Sequence, residues 1–145
     1  MGFSNFRFIV TSSDFAIFMR NTLGYNLLFM SVGLVFSIGI AVGINELRQR
    51  FMAKFYHTVL FMPYFLSWII VTYIVYAFIS SSGLINKTLL SLGMPTVDIY
   101  ARTSAWPFIF LISNIWHYAG NNSIIYLATI TGFDQQLYEA GAIDG

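Results

Sequence analysis

The sequence predicts an all-α fold, a polytopic bundle of three transmembrane helices. Hydrophobic residues make up 57% of the 145 positions, charged residues only 9%, and mean hydropathy is +0.71; soluble domains carry roughly 25% charge. The few charges punctuate the chain. No Asp, Glu, Lys or Arg falls between Arg20 and Glu46, between Lys54 and Lys87, or between Arg102 and Asp134. Each gap exceeds the roughly 20 apolar residues that cross a bilayer.

The same composition excludes several classes. The seven basic residues are scattered, and the net charge is +1, so no nucleic-acid partner is indicated. Without Cys there is no disulfide or thiolate chemistry, and two isolated His make a protein-built metal site unsupported. No cofactor is called for. Residues 1–6 lack a basic region of the signal-peptide kind, and the first strong apolar run starts only after Arg20.

Residues 1–22 combine Phe3, Phe6, Phe8, Phe15 and Phe18 with Arg7, Asp14 and Arg20, the mixture of an interfacial segment at headgroup level. Thr11-Ser12-Ser13-Asp14 reads as a turn with a helix N-cap. Residues 23–44 form the first span. Gly33, Ser37 and Ala41 recur there at four-residue spacing and fall near one face, which suits close helix packing rather than a ligand.

A short polar connection carrying Glu46, Arg48, Arg50 and Lys54 leads to the second span, 57–79, where Pro63 removes a backbone donor and predicts a kink near Leu60. Residues 80–104 form the longest loop. Within it, 83–93 has the apolar spacing of a short amphipathic helix ended by Gly93 and the Met94-Pro95 step, lying along the membrane surface without chemistry of its own.

The third span, 105–130, is unlike a lipid-facing helix. Asn114, His117, Tyr118, Asn121 and Asn122 cluster around Gly120, and polar side chains are costly to leave unpaired in hydrocarbon. Asn114, Tyr118 and Asn121 follow i, i+4, i+7 spacing and share a face, expected to look onto a water-filled path or another helix. His117 suits either an interhelical hydrogen bond or that path. With Trp116 and Tyr118 offering flat faces on which sugars stack, the expected solute path is Asn114, Trp116, Tyr118, Asn121 and Asn122.

With three spans the termini lie on opposite sides. Arg48, Arg50 and Lys54 concentrate in one short connection on the C-terminal side, so the positive-inside rule favours an N-terminus outside and a cytoplasmic C-terminus.

Residues 134–145 are a polar, small-residue segment after the last span. Glu139-Ala140-Gly141-Ala142-Ile143-Asp144-Gly145 resembles the E-A-A-x-x-x-G signature of the permease subunits of bacterial binding-protein-dependent ABC importers. Ile125-Tyr126-Leu127-Ala128, Gln136-Leu137-Tyr138, Asn5-Phe6, Arg20-Asn21-Thr22-Leu23 and Gly83-Leu84-Ile85-Asn86 with Leu92-Gly93 are similar to the carbohydrate-uptake branch, oligosaccharide type. The chain departs from the pattern at Gly141, where the family has Ala, a change that loosens a helix by about 1 kcal/mol. It also lacks the Ile, the Leu-Pro pair and the further spans that follow the signature. The expectation is an internal piece of a type I permease core, spans two to four of about six.

The resemblance implies a bacterial cytoplasmic-membrane protein that forms a sugar or oligosaccharide path and works by alternating access. Its implied partners are a second permease subunit, two cytoplasmic ATPase subunits, an extracytoplasmic solute-binding lipoprotein and membrane lipid. Glu139, Ala140, Gly141, Asp144 and Gly145 would start the coupling helix that docks on an ATPase. Glu139 would sit at the positive end of the helix dipole, and Gly145 would let the chain turn. No phosphate-binding glycine loop is present, so the chain is expected not to be an enzyme, with ATP hydrolysis in separate subunits. The alternative is a non-transporting membrane scaffold or assembly protein. An intramembrane enzyme would need paired acids, a Ser with a partnered base, or metal-ligand spacing.

Overall fold

A computed structural model describes residues 3–132, and every regular element in them is helical. In chain order these are α1 (Ser4–Thr11), α2 (Ser13–Asn45), α3 (Arg50–Phe61), a 3-10 turn (Met62–Phe65), α4 (Trp68–Ile79), α5 (Leu84–Ser91), a second 3-10 turn (Thr103–Ala105) and α6 (Trp106–Gly132).

Ser12 separates α1 from α2. Its backbone is extended, and its Oγ accepts from the Phe15 amide at 3.3 Å, so it caps α2, with Asp14 in the first turn favouring the helix dipole. Nothing after that cap interrupts the helix, so α2 takes in residues 13–22 as well as the apolar run. The long helix therefore begins at Ser13 rather than Leu23, and only α1 is separate from it. At 33 residues α2 is about 50 Å long, more than the roughly 30 Å of bilayer hydrocarbon.

The largest packing surface joins α2 to α6. On α2 it is built around buried Ser37, Ala41 and Ile44, and on α6 around buried Ala119, which lines the same space as Ser37. Lipid tails are as apolar as Leu, so helices in a membrane associate through close backbone approach, which small side chains permit. The hydroxyls turn back on their own helices, Ser37 donating to the Gly33 carbonyl and Ser123 to the Gly120 carbonyl, each at 2.7 Å. Large apolar side chains instead point outward, among them Leu27, Met30 and Phe36 on α2, Tyr73 on α4, and Phe108 and Ile125 on α6.

Two stretches, Asp14–Asn45 and Trp68–Ser91, are long and apolar enough to cross a membrane. The second is interrupted by the turn at 80–83, where a Cβ on Gly83 would stand 2.6 Å from the Phe78 carbonyl oxygen. α6 has 27 residues but carries the polar cluster that lowers its hydropathy.

The expected continuous helix over 57–79 is instead two helices. α3 tightens into the 3-10 turn that contains buried Pro63, and the chain then extends through Leu66 and Ser67 before α4 begins. Ser67 caps α4, its Oγ accepting from the Ile70 amide at 3.4 Å. Pro63 lies at the start of the 3-10 turn, and the backbone leaves the helical region only at Leu66, so the chain bends past Pro63 and not at Leu60.

Beyond α4, the buried Asn86 of α5 organises the long loop. Its Nδ2 donates to the carbonyls of Ser80 (3.2 Å) and Val97 (3.0 Å), and its Oδ1 accepts from the Val97 amide at 2.8 Å. α5 ends at Gly93, whose φ of +72° reverses the chain, with the Met94 amide returning to the Leu89 carbonyl at 2.9 Å.

Candidate solute groove and the broken helix beside it

A groove of about 420 Å³ runs between α2 and α6, lined by Asn26, Gly33 and Ser37 on one side and Asn114, Tyr118 and Asn122 on the other. Its polar groups differ in what they can offer. Asn26 donates one N–H to the Thr22 carbonyl at 2.7 Å and keeps the other, whereas the single donor of Ser37 is spent on its own helix. The side-chain amide of Asn114 has no partner among the described residues. Asn122 uses only its oxygen, accepting from Asn121 at 3.4 Å. Phe29, Tyr118 and Tyr126 add aromatic surface. Free amides and ring faces without charge can hydrogen-bond hydroxyl groups and stack on C–H faces.

Of the residues expected on the path, the structure gathers Asn114, Tyr118 and Asn122. Their i, i+4, i+8 spacing follows the edge of α6 beside the α2 interface. Asn121 lies outside the groove and touches it only through Asn122. Trp116 is on another side of the helix, 44% exposed. It lines a separate apolar groove of about 580 Å³ with Ile74, Val75, Phe78, Ile85 and Ile99, because two residues along a helix turn the side chain by roughly 200°. Glu139, Ala140, Gly141, Asp144 and Gly145 lie outside the described residues.

His117, for which the sequence leaves both an interhelical hydrogen bond and the path open, is the most buried of the polar cluster and makes the hydrogen bond. It is 4% exposed and places Nε2 2.9 Å from the Leu66 carbonyl oxygen. A carbonyl only accepts, so Nε2 carries the proton in this contact. The ring stacks on Trp68 with centroids 4.8 Å apart and planes at 21°, and Tyr64 approaches to 6.2 Å. Trp68 Nε1 donates to the Tyr118 hydroxyl at 3.1 Å. Three residues on, Gly120 lies against the Leu60 carbonyl with no room for a Cβ. The available signals were a His in an apolar run and a Pro in the span it would meet.

No family model matches the chain. It is 32% identical over 146 residues to the polygalacturonan/rhamnogalacturonan transport system permease protein of Bacillus subtilis (strain 168), covering 100% of this chain and 46% of that relative. The diacetylchitobiose uptake system permease protein of Streptomyces coelicolor is 29% identical over 157 residues, covering 100% of this chain and 44% of its own. Among solved structures, a bacterial ABC transporter involved in import of the acidic polysaccharide alginate superposes with a TM-score of 0.89 at 34% identity. That match covers 100% of this chain and 51% of the other. The chain thus spans about half the length of the relatives it matches. By sequence and by fold the chain is similar, over its whole length, to permease proteins of bacterial sugar transport systems and to part of an alginate-importing ABC transporter.

Proposed function

We propose that the protein this chain represents is a permease subunit of an ATP-driven importer that carries a sugar or oligosaccharide across the bacterial cytoplasmic membrane. The observation that carries the reading is the uncharged groove between α2 and α6, with the free amide of Asn114 beside Tyr118. It lies in a chain that sugar-transport permeases match from end to end. In this reading the solute's hydroxyls bond to Asn114 and Asn122 and its ring stacks on Tyr118. A second permease subunit closes the path.

The partners are two cytoplasmic ATPase subunits and an extracytoplasmic solute-binding protein. One of the similar solved structures holds alginate pentasaccharide on a periplasmic protein in complex with the transporter, which supports the last of these. The C-terminus is cytoplasmic, and the segment bearing Glu139, Ala140, Gly141, Asp144 and Gly145 docks on an ATPase. ATP hydrolysis belongs to that subunit, and its closure shifts the spans between inward-open and outward-open states. Uptake by the full-length protein in its native assembly tests the coupling. Glu139→Ala and Gly145→Pro are each expected to abolish most uptake while leaving the protein in the membrane. Wild-type uptake in both variants would remove the docking role.

A further inference from the structure

The two halves of the broken helix are held by different parts of the fold. α3 and the 3-10 turn lie against α6, whereas α4 packs on α5. Between α4 and α6 is an apolar groove of about 460 Å³ lined by Val71, Val75, Ile109, Phe110 and Ser113 among others. Leu66 and Ser67, which join the halves, are both extended (ψ 138° and 153°). Across that join the two side-chain hydrogen bonds to α6 among the described residues are His117 to the Leu66 carbonyl and Trp68 to Tyr118.

We propose that Leu66–Ser67 is a hinge and that His117 is the positioning residue that sets the angle between α3 and α4. A backbone carbonyl freed by a helix break in apolar surroundings is strongly unfavourable until a donor reaches it. His117 supplies that donor from another helix. Its ring is also the surface both halves share, since Tyr64 approaches it from before the break and Trp68 stacks on it from after. Any change of angle must slide Trp68 across the imidazole or pull Leu66 from Nε2. The other ring nitrogen, Nδ1, is buried without a partner, so the ring serves this carbonyl alone. Two extended residues between rigid helices are enough to absorb a change in φ and ψ. The hinge stands on this geometry, whatever solute the protein carries.

Pulsed electron-electron resonance on the full-length protein tests it, in a background free of other cysteines. Spin labels at Phe55 and Tyr73, exposed on α3 and α4, report the hinge; labels at Val35 and Ile112, exposed on α2 and α6, report the bundle. Wild type and His117→Gln, whose amide nitrogen can replace Nε2–H, are expected to give the same narrow Phe55–Tyr73 distribution. His117→Leu is expected to broaden or shift it by several ångströms while the Val35–Ile112 distance stays fixed. If the Leu variant does not fold, His117→Asn, too short to reach Leu66, is expected to show the same broadening. A narrow wild-type distribution in the Leu or Asn variant overturns the proposal. So does a Gln variant that behaves like Leu, or broadening of both label pairs together.

Discussion

Gly120 of α6 and Leu60 at the end of α3 meet backbone to backbone: a Cβ on residue 120 would overlap the Leu60 carbonyl and stand 2.9 Å from the Phe61 nitrogen. Neither neighbour is a flexible side chain that could give way. Gly120→Ala is therefore expected to destabilise the protein by about 1–3 kcal/mol, the usual range for overpacking. Gly24→Ala, with open space around it, should be neutral or raise stability by up to about 1 kcal/mol through helix propensity. Thermal unfolding of both variants in detergent separates them, and equal midpoints would show that α3 is not seated on Gly120.

Ser37 makes a similar contrast within one position. It is 1% exposed in the α2–α6 interface, and its hydroxyl is satisfied by Gly33 of its own helix. Ser37→Ala should change stability by less than about 1 kcal/mol, since it removes donor and need together. Ser37→Leu should push α2 off α6 and lose about 1–3 kcal/mol or more. Monodispersity on size-exclusion chromatography after graded heating reads this out, and a Leu variant as heat-tolerant as Ala would contradict the packing described.

Within the candidate groove, Asn114 and Trp116 are two residues apart yet face different spaces. On the proposed function, Asn114→Ala should cut sugar uptake by about tenfold or more, equivalent to losing one or two good hydrogen bonds of about 1 kcal/mol each. Trp116→Ala should leave apparent affinity for the solute unchanged. Radiolabelled uptake at several solute concentrations distinguishes them, and the reverse pattern would move the path to the apolar side of α6.

Asn86 satisfies three backbone groups at once. Its replacement by Ala should cost about 1–3 kcal/mol for each group left buried and unpaired. Asn86→Asp keeps only the acceptor for the Val97 amide and should lie between. Hydrogen exchange at the Val97 amide is the direct measure: slow in the native protein, slow in the Asp variant, fast in the Ala variant.

What the sequence revealed and what it hid divide along a physical line. The apolar run of α2, the Gly93 stop of α5 and the polar character of α6 follow from local composition and spacing, and these were legible. The start of α2 at Ser13 was less so, because aromatic and charged residues suit both an interfacial segment and the end of a long helix. Pro63 alone points to a break near Leu60, not at Leu66–Ser67. Pro63 marks a bend, but the position of the bend depends on His117, 51 residues away, and on Gly120 admitting the Leu60 carbonyl. Of the two neighbouring amides expected on the path, Asn122 lines the groove and Asn121 does not. Helical spacing defines a stripe, while the neighbouring helix decides which edge of it is covered.

The Asn86 contacts have a further effect on how the chain can vary. By fastening Ser80 to Val97, one side chain closes the segment between them into a ring whose ends do not depend on what lies inside. Residues added beside Pro95, after the turn at Gly93, would change the size of that ring without shifting the register of α4 or the entry into α6. Such insertions should be tolerated there, whereas a single added residue between Phe65 and Trp68 would displace the carbonyl that His117 holds.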